Sequence, residues 1–542
     1  MSRGLSTLRG DIFGGVTAAV VALPLALAFG VASGVGPIAG LYGAIAVGFF
    51  AAVFGGTPAQ VSGPTGPMTV VMGAIVAEHA SSLPEAFAIV FLGGLLQLLF
   101  GFLRVGRYVS YTPYSVVSGF MSGIGVIIIL IQTLPFVGLA TVPGGSLATI
   151  RAWGGIATGL NTDALAIAAV SLGVMVFWPK RWQAILPPPL AALVVGTLLS
   201  LFVLGGAPVI GHVPTGLPDF TIPSFPLAEL HTIVQPALIL ALLGSIDSLL
   251  TSLVADSITR TRHNSDRELI GQGIGNMVAG LIGGLPGAGA TMRTVVNVRA
   301  GGRSPVSGAL HALILLALVL GLGPLAENIP HAVLAGILMK VGWDIIDWGY
   351  IKRCHRAPRA KVLVMVVTLG LTVFVDLITA VAVGLVLAGF VTAQWMEEDE
   401  LKGVTSLALP EDDHHLDEAE RAVLRTLNGK IGLVFLRGRF SYASARQLTS
   451  RAVALGLDHR AIIYDFTDAA QIDTSAALAI EDILATASED GVPCYVAGLS
   501  GGAEATLDSL GVLEKISADH IVPTLLDALH CAAAHIAAEE GR

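Results

Sequence analysis

Charged residues are scarce in this chain of 542 residues. Only 13% are Asp, Glu, Lys or Arg, whereas 54% are hydrophobic. Soluble globular domains carry about 25% charged residues, so most of this chain is not soluble globular protein. A net charge of −9 removes the electrostatic basis for a nucleic-acid partner. Together with 65 glycines and a mean hydropathy of +0.77, these shortages indicate an integral membrane protein.

Several chemical motifs are also missing. The three cysteines, Cys354, Cys494 and Cys531, match neither metal-site spacing nor a disulfide framework. No Gly-Lys-Ser/Thr follows the main glycine-rich run, which excludes a P-loop nucleotide site. No nucleophile with a positioned base is recognisable, so the sequence does not predict an enzyme. The first apolar segment, beginning near Phe13, has no Ala-x-Ala-like processing site, and we expect it to be a retained membrane span.

Hydrophobicity changes abruptly along the chain and predicts its domains. Residues 1–395 form one apolar run after another and are expected to be a membrane transport domain. Residues 426–542 have ordinary soluble composition. Between them, residues 396–425 are acidic, and we expect a solvated linker without metal chemistry, even around the cluster Glu411–His415.

The apolar part divides into fourteen predicted membrane elements. A helix needs roughly 17 to 25 apolar residues to cross a bilayer, and such windows centre near residues 23, 45, 70, 93, 124, 170, 195, 245, 276, 293, 313, 337, 368 and 386. With the N-terminus inside, the loops after even-numbered elements carry Arg104, Arg107, Lys180, Arg181, Arg260, Arg262, Arg267, Arg299, Arg303, Lys352, Arg353, Arg356, Arg359 and Lys361. The opposite loops carry only Arg151, so the positive-inside rule predicts that both termini are cytoplasmic.

The third and tenth elements are short and interrupted by Gly and Pro, around Ser62–Thr69 and Gly284–Thr291. They occupy the same place in two halves of seven elements. Because seven is odd, the halves must insert with opposite topology, as an inverted repeat. Paired interrupted segments at matching positions indicate a substrate site near the midplane of a secondary transporter.

The two interrupted elements predict an anion site. Thr65 can cap the first half-helix, and Pro67 suits its first turn. Free amides and aligned dipoles at two converging helix ends would suit a small oxyanion, with further hydrogen bonds from the Thr65 and Thr291 hydroxyls. The alternative is that the glycines only permit close helix packing. We favour the anion site because the feature recurs in both halves.

A second candidate site lies in the apolar run Gln235–Val254, where Asp247 and Thr251 share one helix face. Placing an ionisable group at membrane depth costs several kcal/mol of free energy. Such a group usually marks an ion or substrate path. A small hard cation binds carboxylate, hydroxyl and carbonyl oxygens. The Thr291 hydroxyl and carbonyls near Gly289 could complete such a site.

The alternative for Asp247 is a structural ion pair with Arg293 or Lys340, the other charges within the membrane elements. Lys340 is four residues before Asp344, and we expect those two to pair with each other. Arg293 stands one turn into the tenth element. From the sequence it could equally anchor an anion, act as a gate or neutralise Asp247.

The C-terminal residues predict a small α/β domain. The expected strands are Ile431–Leu436, Ala461–Phe466 and Cys494–Ala497, and the expected helices lie near Ala443–Ala454, Ser475–Thr486 and Gly502–Leu510. The tripeptide Asp473–Ser475 follows a strand and opens a helix. An N-cap explains it sufficiently, and regulatory phosphorylation of Ser475 is the weaker alternative.

Specific motifs resemble the SulP anion transporters. The resemblance runs from Gly10-Asp11 to a C-terminal domain similar to the STAS module, and it is most specific at Asp256–Asn276 and Asn297–Arg303. The resemblance is nearer still to the cyanobacterial sodium-dependent bicarbonate transporters of that family. They share with this chain the segments Thr17–Pro24, Pro64–Thr69, Ile246-Asp247 and Gly287–Met292.

This resemblance implies an all-α membrane domain of seven plus seven inverted elements, divided into core and gate domains, and a cytoplasmic α/β STAS-like domain that mediates dimer contact. It also implies site residues. The implied sodium ligands are Asp247, Thr251, Gly289 and Thr291, and the implied bicarbonate contacts are Thr65, Ala290 and Thr291.

The expected function is sodium-coupled bicarbonate uptake across a bacterial inner membrane. Many proton-coupled members of the family have Glu where this chain has Asp247, which favours sodium. Arg293 favours the alternative, a proton-coupled transporter of sulfate or a dicarboxylate, because the wider family usually has Arg there and the bicarbonate transporters have Gly. A third hypothesis makes the STAS-like module a signalling unit with a membrane anchor, but an anchor does not require paired broken helices.

Overall fold

The structure is a computed structural model of the chain. It describes residues 2–80, 82–109, 112–142, 145–183, 186–211, 220, 230–375, 377–407, 416–456, 459–489 and 491–540. The acidic cluster Glu411–His415 lies outside these residues. The chain separates into two compact units, Met1–Ala388 and Gly389–Arg542.

The first unit is helical. Its described helices are α1 (Ser2–Ala32), α2 (Pro37–Phe54), α3 (Gly66–Ala74), α4 (Leu83–Phe102), α5 (Gly106–Val109), α6 (Tyr114–Phe136), α7 (Gly145–Ala152), α8 (Ile156–Gly159), α9 (Thr162–Phe177), α10 (Pro188–Phe202), α11 (Leu230–Thr259), α12 (Ser265–Leu281), α13 (Thr291–Arg299), α14 (Pro305–Ala326), α15 (His331–Ile345), α16 (Trp348–Ile351), α17 (Arg359–Phe374) and α18 (Leu377–Glu400), whose end lies in the second unit. Two short strands, β1 (Ser62–Gly63) and β2 (Ala288–Gly289), stand before α3 and α13.

The predicted all-α membrane architecture is confirmed. Each of the fourteen predicted centres falls inside a different helix, and only the four-residue helices α5, α8 and α16 and the eight-residue α7 have no counterpart in the sequence prediction. Among the described helices, α1, α2, α4, α6, α11 and α18 are long and apolar enough to cross a membrane. The third and tenth elements, α3 and α13, are short as predicted, with nine residues each.

Local sequence explains where several helices begin. Proline occupies the first turn of α2, α3, α4, α10 and α14, where its missing N–H is not needed. Side-chain caps start other helices: Asn161 accepts a hydrogen bond from the Ala164 amide, and Asn264 accepts one from the Arg267 amide. These caps fix the residues at which α9 and α12 begin.

The helices pack in two groups, and each group combines helices from both halves of the repeat. In one group α12 packs against α2 and α4, α14 against α1 and α2, and α11 against α4 and α13. In the other group α6 packs against α15 and α17, and α9 against α10 and α15. This is the division into core and gate that the resemblance implies, with both half-helices α3 and α13 attached to the core group.

The second unit is an α/β domain, as predicted. Its described elements are β3 (Val404–Leu407), α19 (Glu418–Leu427), β4 (Ile431–Leu436), β5 (Gly438–Phe440), α20 (Ala445–Gly456), β6 (Ala461–Asp465), β7 (Ala469–Ile472), α21 (Thr474–Glu489), β8 (Cys494–Ala497), α22 (Gly501–Ser509), β9 (Ile521–Val522) and α23 (Leu525–Glu540). The main sheet has the order β3-β4-β6-β8-β9, in which β3 is antiparallel to β4 and the other pairs are parallel. A second sheet pairs β5 with β7.

The described part of residues 396–425 is structured, whereas the sequence predicts a solvated linker. It contains the end of α18, the edge strand β3 and the start of α19. Leu401 and Val404 are buried in the core of the second unit, and the Glu400 carboxylate accepts hydrogen bonds from the Ser441 amide at 3.0 Å and hydroxyl at 2.8 Å. Acidic composition concealed these few apolar positions, which attach the segment to the sheet.

Candidate functional site

The two half-helices begin at one place in the core. Strands β1 and β2 pair antiparallel, with Ser62 opposite Gly289 and Gly63 opposite Ala288. The Ala290 amide extends this ladder by donating to the Val61 carbonyl at 2.9 Å. Because α3 and α13 start immediately after the paired strands, their N-terminal amides and positive dipole ends meet near this ladder.

Asp247 lies beside the start of α3. Its side chain is buried, and its Oδ2 accepts a 2.8 Å hydrogen bond from the Thr65 hydroxyl. The sequence predicts that Thr65 caps α3, and Thr65 is the N-cap residue of this helix. Its hydroxyl, however, makes no side-chain cap hydrogen bond and is oriented to donate to the carboxylate of Asp247.

Thr251 joins the other predicted cation ligands. Its hydroxyl donates to the Gly289 carbonyl at 2.9 Å and lies 2.7 Å from the Thr291 hydroxyl. Since one hydroxyl has one proton, Thr291 is the donor in the second contact. Three of the four predicted ligands are thus in direct contact, and the fourth, Asp247, is one turn earlier on α11. One carboxylate among hydroxyl and carbonyl oxygens is a donor set for a small hard cation.

The predicted anion contacts differ in accessibility. Thr65 and Ala290 are buried at the two ladder ends, whereas Thr291 is exposed and its neighbour Met292 is 63% exposed. Ala290 is the N-cap residue of α13 and has no side-chain polar group, so only its backbone can bind an anion. Thr291 therefore marks the accessible edge of the site.

Arg293 is buried in the first turn of α13. Its Nη2 donates to the Pro64 carbonyl at the entrance of α3, and Gly63 lies against its Nη1. Among the described side chains, Nη1 has no hydrogen-bond partner, and no ion pair within 4.0 Å joins Arg293 to Asp247. The structure therefore brings a guanidinium with free hydrogen-bonding capacity to the half-helix junction.

Lys340 is not a partner of Asp247 either. Its amine pairs with the carboxylate of Asp344, four residues later on α15, as the spacing predicts. The structural ion pair considered from the sequence is therefore not formed by Lys340.

Sequence reasoning missed Ser248, which holds strand β2 in place. Its hydroxyl donates to the Gly244 carbonyl at 2.6 Å and accepts from the Gly289 amide at 3.0 Å. The available signal was the series of hydroxyl residues along the apolar helix α11, namely Ser245, Ser248, Thr251 and Ser252. Such residues are tolerated in a membrane helix when they bind another backbone segment.

Sequence reasoning also missed a second buried carboxylate, Glu268 on α12, which is 1% exposed. Four neutral N–H groups bind it: the backbone amides of Gly56 and Thr57 at 2.9 Å, and the side-chain amides of Gln60 and Gln272 at 2.8 Å.

The Glu268 network continues to the candidate site. The Gln60 side chain also accepts from the Ser252 hydroxyl at 3.0 Å and is so close to Gly289 that a Cβ there would lie 2.4 Å from its Nε2. Gln272 donates to the Ser62 hydroxyl of β1 at 2.6 Å. Glu268 thereby fixes side chains that contact both strands of the ladder.

Replacing Glu268 by Gln is expected to destabilise the chain. Glutamine offers one acceptor oxygen and presents an NH2 group to N–H donors, so at least one buried group loses its partner. The expected decrease in unfolding free energy is about 3 kcal/mol. Thermal unfolding of the purified chain in detergent measures it, with the exposed Glu398→Gln as the control. Equal midpoints for the two variants would contradict a structural role for the carboxylate.

In the second unit, Asp473 acts as an N-cap. Its Oδ1 accepts from the Ala476 amide at 2.9 Å at the start of α21, and its Oδ2 accepts from the Tyr442 amide at 2.7 Å. The N-cap that the sequence predicts at Asp473–Ser475 is thus confirmed. Ser475 is exposed beside the cap, and its phosphorylation stays a prediction.

Comparison with known proteins identifies relatives over the whole chain. Residues 8–368 match the sulfate permease family and residues 423–528 match the STAS domain. The bicarbonate transporter BicA of Synechocystis sp. is 43% identical over 516 residues, which cover 94% of this chain and 91% of the relative.

Two solved structures support the fold. The transmembrane domain of a cyanobacterial BicA matches with a TM-score of 0.66 and 51% identity over 69% of this chain and 97% of that chain. The structure of SLC26A9 matches 98% of this chain and 91% of its own, with a TM-score of 0.81. At 18% identity, the second likeness concerns the fold alone.

Proposed function

This chain belongs to the sulfate permease family of anion transporters, and we propose that it is a secondary active transporter that takes up bicarbonate together with sodium. It is a transporter and not an enzyme, as its relatives are. Bicarbonate is proposed because two relatives named as bicarbonate transporters are 43% and 42% identical over 94% and 96% of this chain.

One observation supports this proposal above the others: the β1–β2 ladder brings two helix N-termini together next to Asp247. The amides and dipole ends supply positive potential for a small anion. Thr65, Ala290 and Thr291 lie at the two helix starts and would contact bicarbonate, with Arg293 behind the ladder. A cation held by Asp247, Thr251, Gly289 and Thr291 would share Thr291 with the anion.

Sodium and bicarbonate are then coupled through electrostatics and a shared residue. Sodium offsets the charge of Asp247, which otherwise repels an anion at the half-helix junction. Each ligand should therefore increase the affinity for the other by the same factor. The core group of helices, which carries α3, α11 and α13, would move against the gate group to expose the site alternately to the two sides.

The cellular arrangement follows from the same proposal. We propose that both termini face the cytoplasm of a bacterium and that the chain lies in its inner membrane, and the segregation of Lys and Arg supports this orientation. We propose domain limits of 1–395 for transport, 396–425 for the connector and 426–542 for the STAS-like domain, and a homodimer formed through that domain.

Uptake into proteoliposomes tests the function. With an inward sodium gradient, labelled bicarbonate should accumulate several-fold above the level seen with a potassium gradient of equal size, because sodium entry drives the coupled anion. A proton gradient without sodium should give no accumulation beyond that in protein-free liposomes, into which CO2 diffuses and is trapped as bicarbonate. Sulfate uptake that is indifferent to sodium would contradict the proposal.

A second candidate function is proton-coupled transport of sulfate or a dicarboxylate. Arg293 favours it, since a buried guanidinium with an unpartnered Nη1 is a suitable second anchor for a divalent anion. Uptake of sulfate or fumarate into the same proteoliposomes under an inward proton gradient distinguishes the two candidate functions. Substrate uptake under the proton gradient that is lost in Arg293→Gly would favour this candidate.

A further inference from the structure

A group of exposed basic side chains lies between α15 and α17 of the gate group. Lys352, Arg353, Arg356 and Arg359 are all exposed, in a chain whose net charge is −9. Among the described residues, no Asp or Glu carboxylate lies within 4.0 Å of any of the four. The nearest acids in the sequence are engaged elsewhere, because Asp344 pairs with Lys340 and Asp347 accepts hydroxyl hydrogen bonds.

Four aromatic side chains adjoin the basic group, although only 6% of the chain is aromatic. The rings of Trp343 and Trp348 lie 4.3 Å apart, and those of Tyr114 and Tyr350 are edge to face at 5.5 Å. The Trp348 indole donates to the Trp343 carbonyl at 2.9 Å. Tryptophan and tyrosine are enriched at the depth of lipid headgroups, where an apolar ring and a polar tip are both accommodated.

Asp347 holds the two tyrosines of this cluster on the gate helices. Its Oδ2 accepts hydrogen bonds from the Tyr114 and Ser118 hydroxyls on α6, both at 2.7 Å, and its Oδ1 accepts from the Tyr350 amide at 3.0 Å. The Asp347 amide donates to the Ser122 hydroxyl at 3.1 Å. The short helix α16 is therefore fixed against α6 and does not form a free loop.

Apolar surface continues from the basic group along α17. Leu363 is 61% exposed and Val366 is 52% exposed, one to two turns after Arg359. A surface that changes within two helical turns from cationic to apolar, with aromatic rings beside the boundary, matches the change from headgroup to hydrocarbon in a bilayer.

We propose that these four basic and four aromatic residues form a binding surface for the phosphate headgroups of anionic phospholipids. Basic residues next to a membrane helix attract anionic lipid, and guanidinium groups bind phosphate oxygens in a bidentate manner. If the basic residues served only to orient the chain in the membrane, their charges alone would be sufficient. The hydrogen-bonded helix α16 and the clustered aromatic rings give the basic residues an ordered surface beside them. Lipid bound to this surface anchors the gate group while the core moves. The inference goes beyond the proposed transport and does not depend on which anion is carried.

The test uses the full chain in detergent, titrated with phosphatidylglycerol or phosphatidylcholine, and thermal unfolding as the measure of binding. The wild type should bind phosphatidylglycerol at least ten-fold more tightly than phosphatidylcholine, and high salt should reduce the difference. The variant Lys352→Gln/Arg353→Gln/Arg356→Gln/Arg359→Gln should bind both lipids alike. A preference that persists in this variant would overturn the proposal.

Two controls separate the surface from bulk charge. Arg181→Gln/Arg262→Gln/Arg299→Gln/Arg303→Gln removes the same charge from other exposed positions and should keep the preference. Arg353→Lys/Arg356→Lys/Arg359→Lys keeps the charge and should keep a reduced preference for phosphatidylglycerol, because an ammonium group lacks the paired donors of a guanidinium. Loss of the preference in either variant would contradict the proposal. Displacement of phosphatidylglycerol by an equimolar poly-glutamate peptide would instead identify an acidic protein segment as the occupant.

Discussion

Sodium-dependent uptake should disappear when Asp247 is replaced by Asn, while the amount of protein in the membrane stays unchanged. Asparagine keeps an oxygen that can accept from the Thr65 hydroxyl at a similar position, so the local fold has little reason to change. The formal charge is lost, and hard cations depend on carboxylate ligands for affinity. A loss of about 3 kcal/mol in cation binding corresponds to roughly a hundred-fold lower affinity.

Two measurements check this expectation. Bicarbonate uptake is compared with and without a sodium gradient, and the thermal shift caused by bicarbonate is measured at low and high sodium. In Asp247→Asn both should become independent of sodium. Asp344→Asn, which removes a more exposed carboxylate bound to Lys340, is the matched control and should behave as wild type. Undiminished sodium stimulation in Asp247→Asn would remove this residue from the cation site.

Periodicity and loop charge predicted most of the membrane fold. Each predicted centre lies in its own helix because backbone at membrane depth must satisfy its hydrogen bonds internally, which makes an apolar segment helical. The short elements α3 and α13 were recognisable since Gly and Pro interrupt otherwise apolar runs. In the second unit, β4, β6 and β8 were predicted because buried parallel strands form continuous apolar runs.

The missed elements have weaker local signals. Strands β1 and β2 have two residues each, and their pairing joins segments more than 200 residues apart. The Glu268 network is equally distant in sequence, since Glu268 binds Gly56 and Thr57 through contacts with separations of 212 and 211 residues. No local pattern identifies which buried polar groups will meet. The sequence could indicate Asp247 as a candidate site residue because a carboxylate in an apolar run is costly, but Glu268 stands among polar residues at the start of α12.

The position of Thr65 shows a related limit. A threonine before Gly-Pro fits an N-cap by local rules, and the backbone of Thr65 does take that place. Its side chain is oriented toward the buried carboxylate of Asp247. In a poorly solvated core, a hydrogen bond from the hydroxyl to a carboxylate is stronger than a hydrogen bond that the hydroxyl accepts from a neutral backbone amide. Residue identity therefore predicted the location of Thr65, and tertiary structure determined its role.

Adding a single methyl group at Gly287 should eliminate transport and destabilise the core. A Cβ at this position would lie 2.5 Å from the carbonyl carbon of Gly63 and 2.6 Å from its oxygen, both backbone atoms of β1. Gly287 cannot retreat without cost, because Asn276 holds its amide at 2.8 Å and its carbonyl at 3.0 Å. In Gly287→Ala the two strands must separate, which we expect to cost about 3 kcal/mol.

Gly73→Ala provides the matched control for this prediction. Gly73 lies in the same half-helix system, on α3, but the nearest atoms to an added Cβ belong to Ser33 at 3.9 Å, an ordinary contact distance. Alanine also favours the helical state by about 1 kcal/mol relative to glycine. Gly73→Ala should therefore keep wild-type uptake and an equal or higher unfolding midpoint, whereas Gly287→Ala should lose uptake and unfold at lower temperature. Because the junction of α3 and α13 forms only while β1 and β2 are paired, normal transport by Gly287→Ala would mean that anion binding does not depend on the two helix ends meeting.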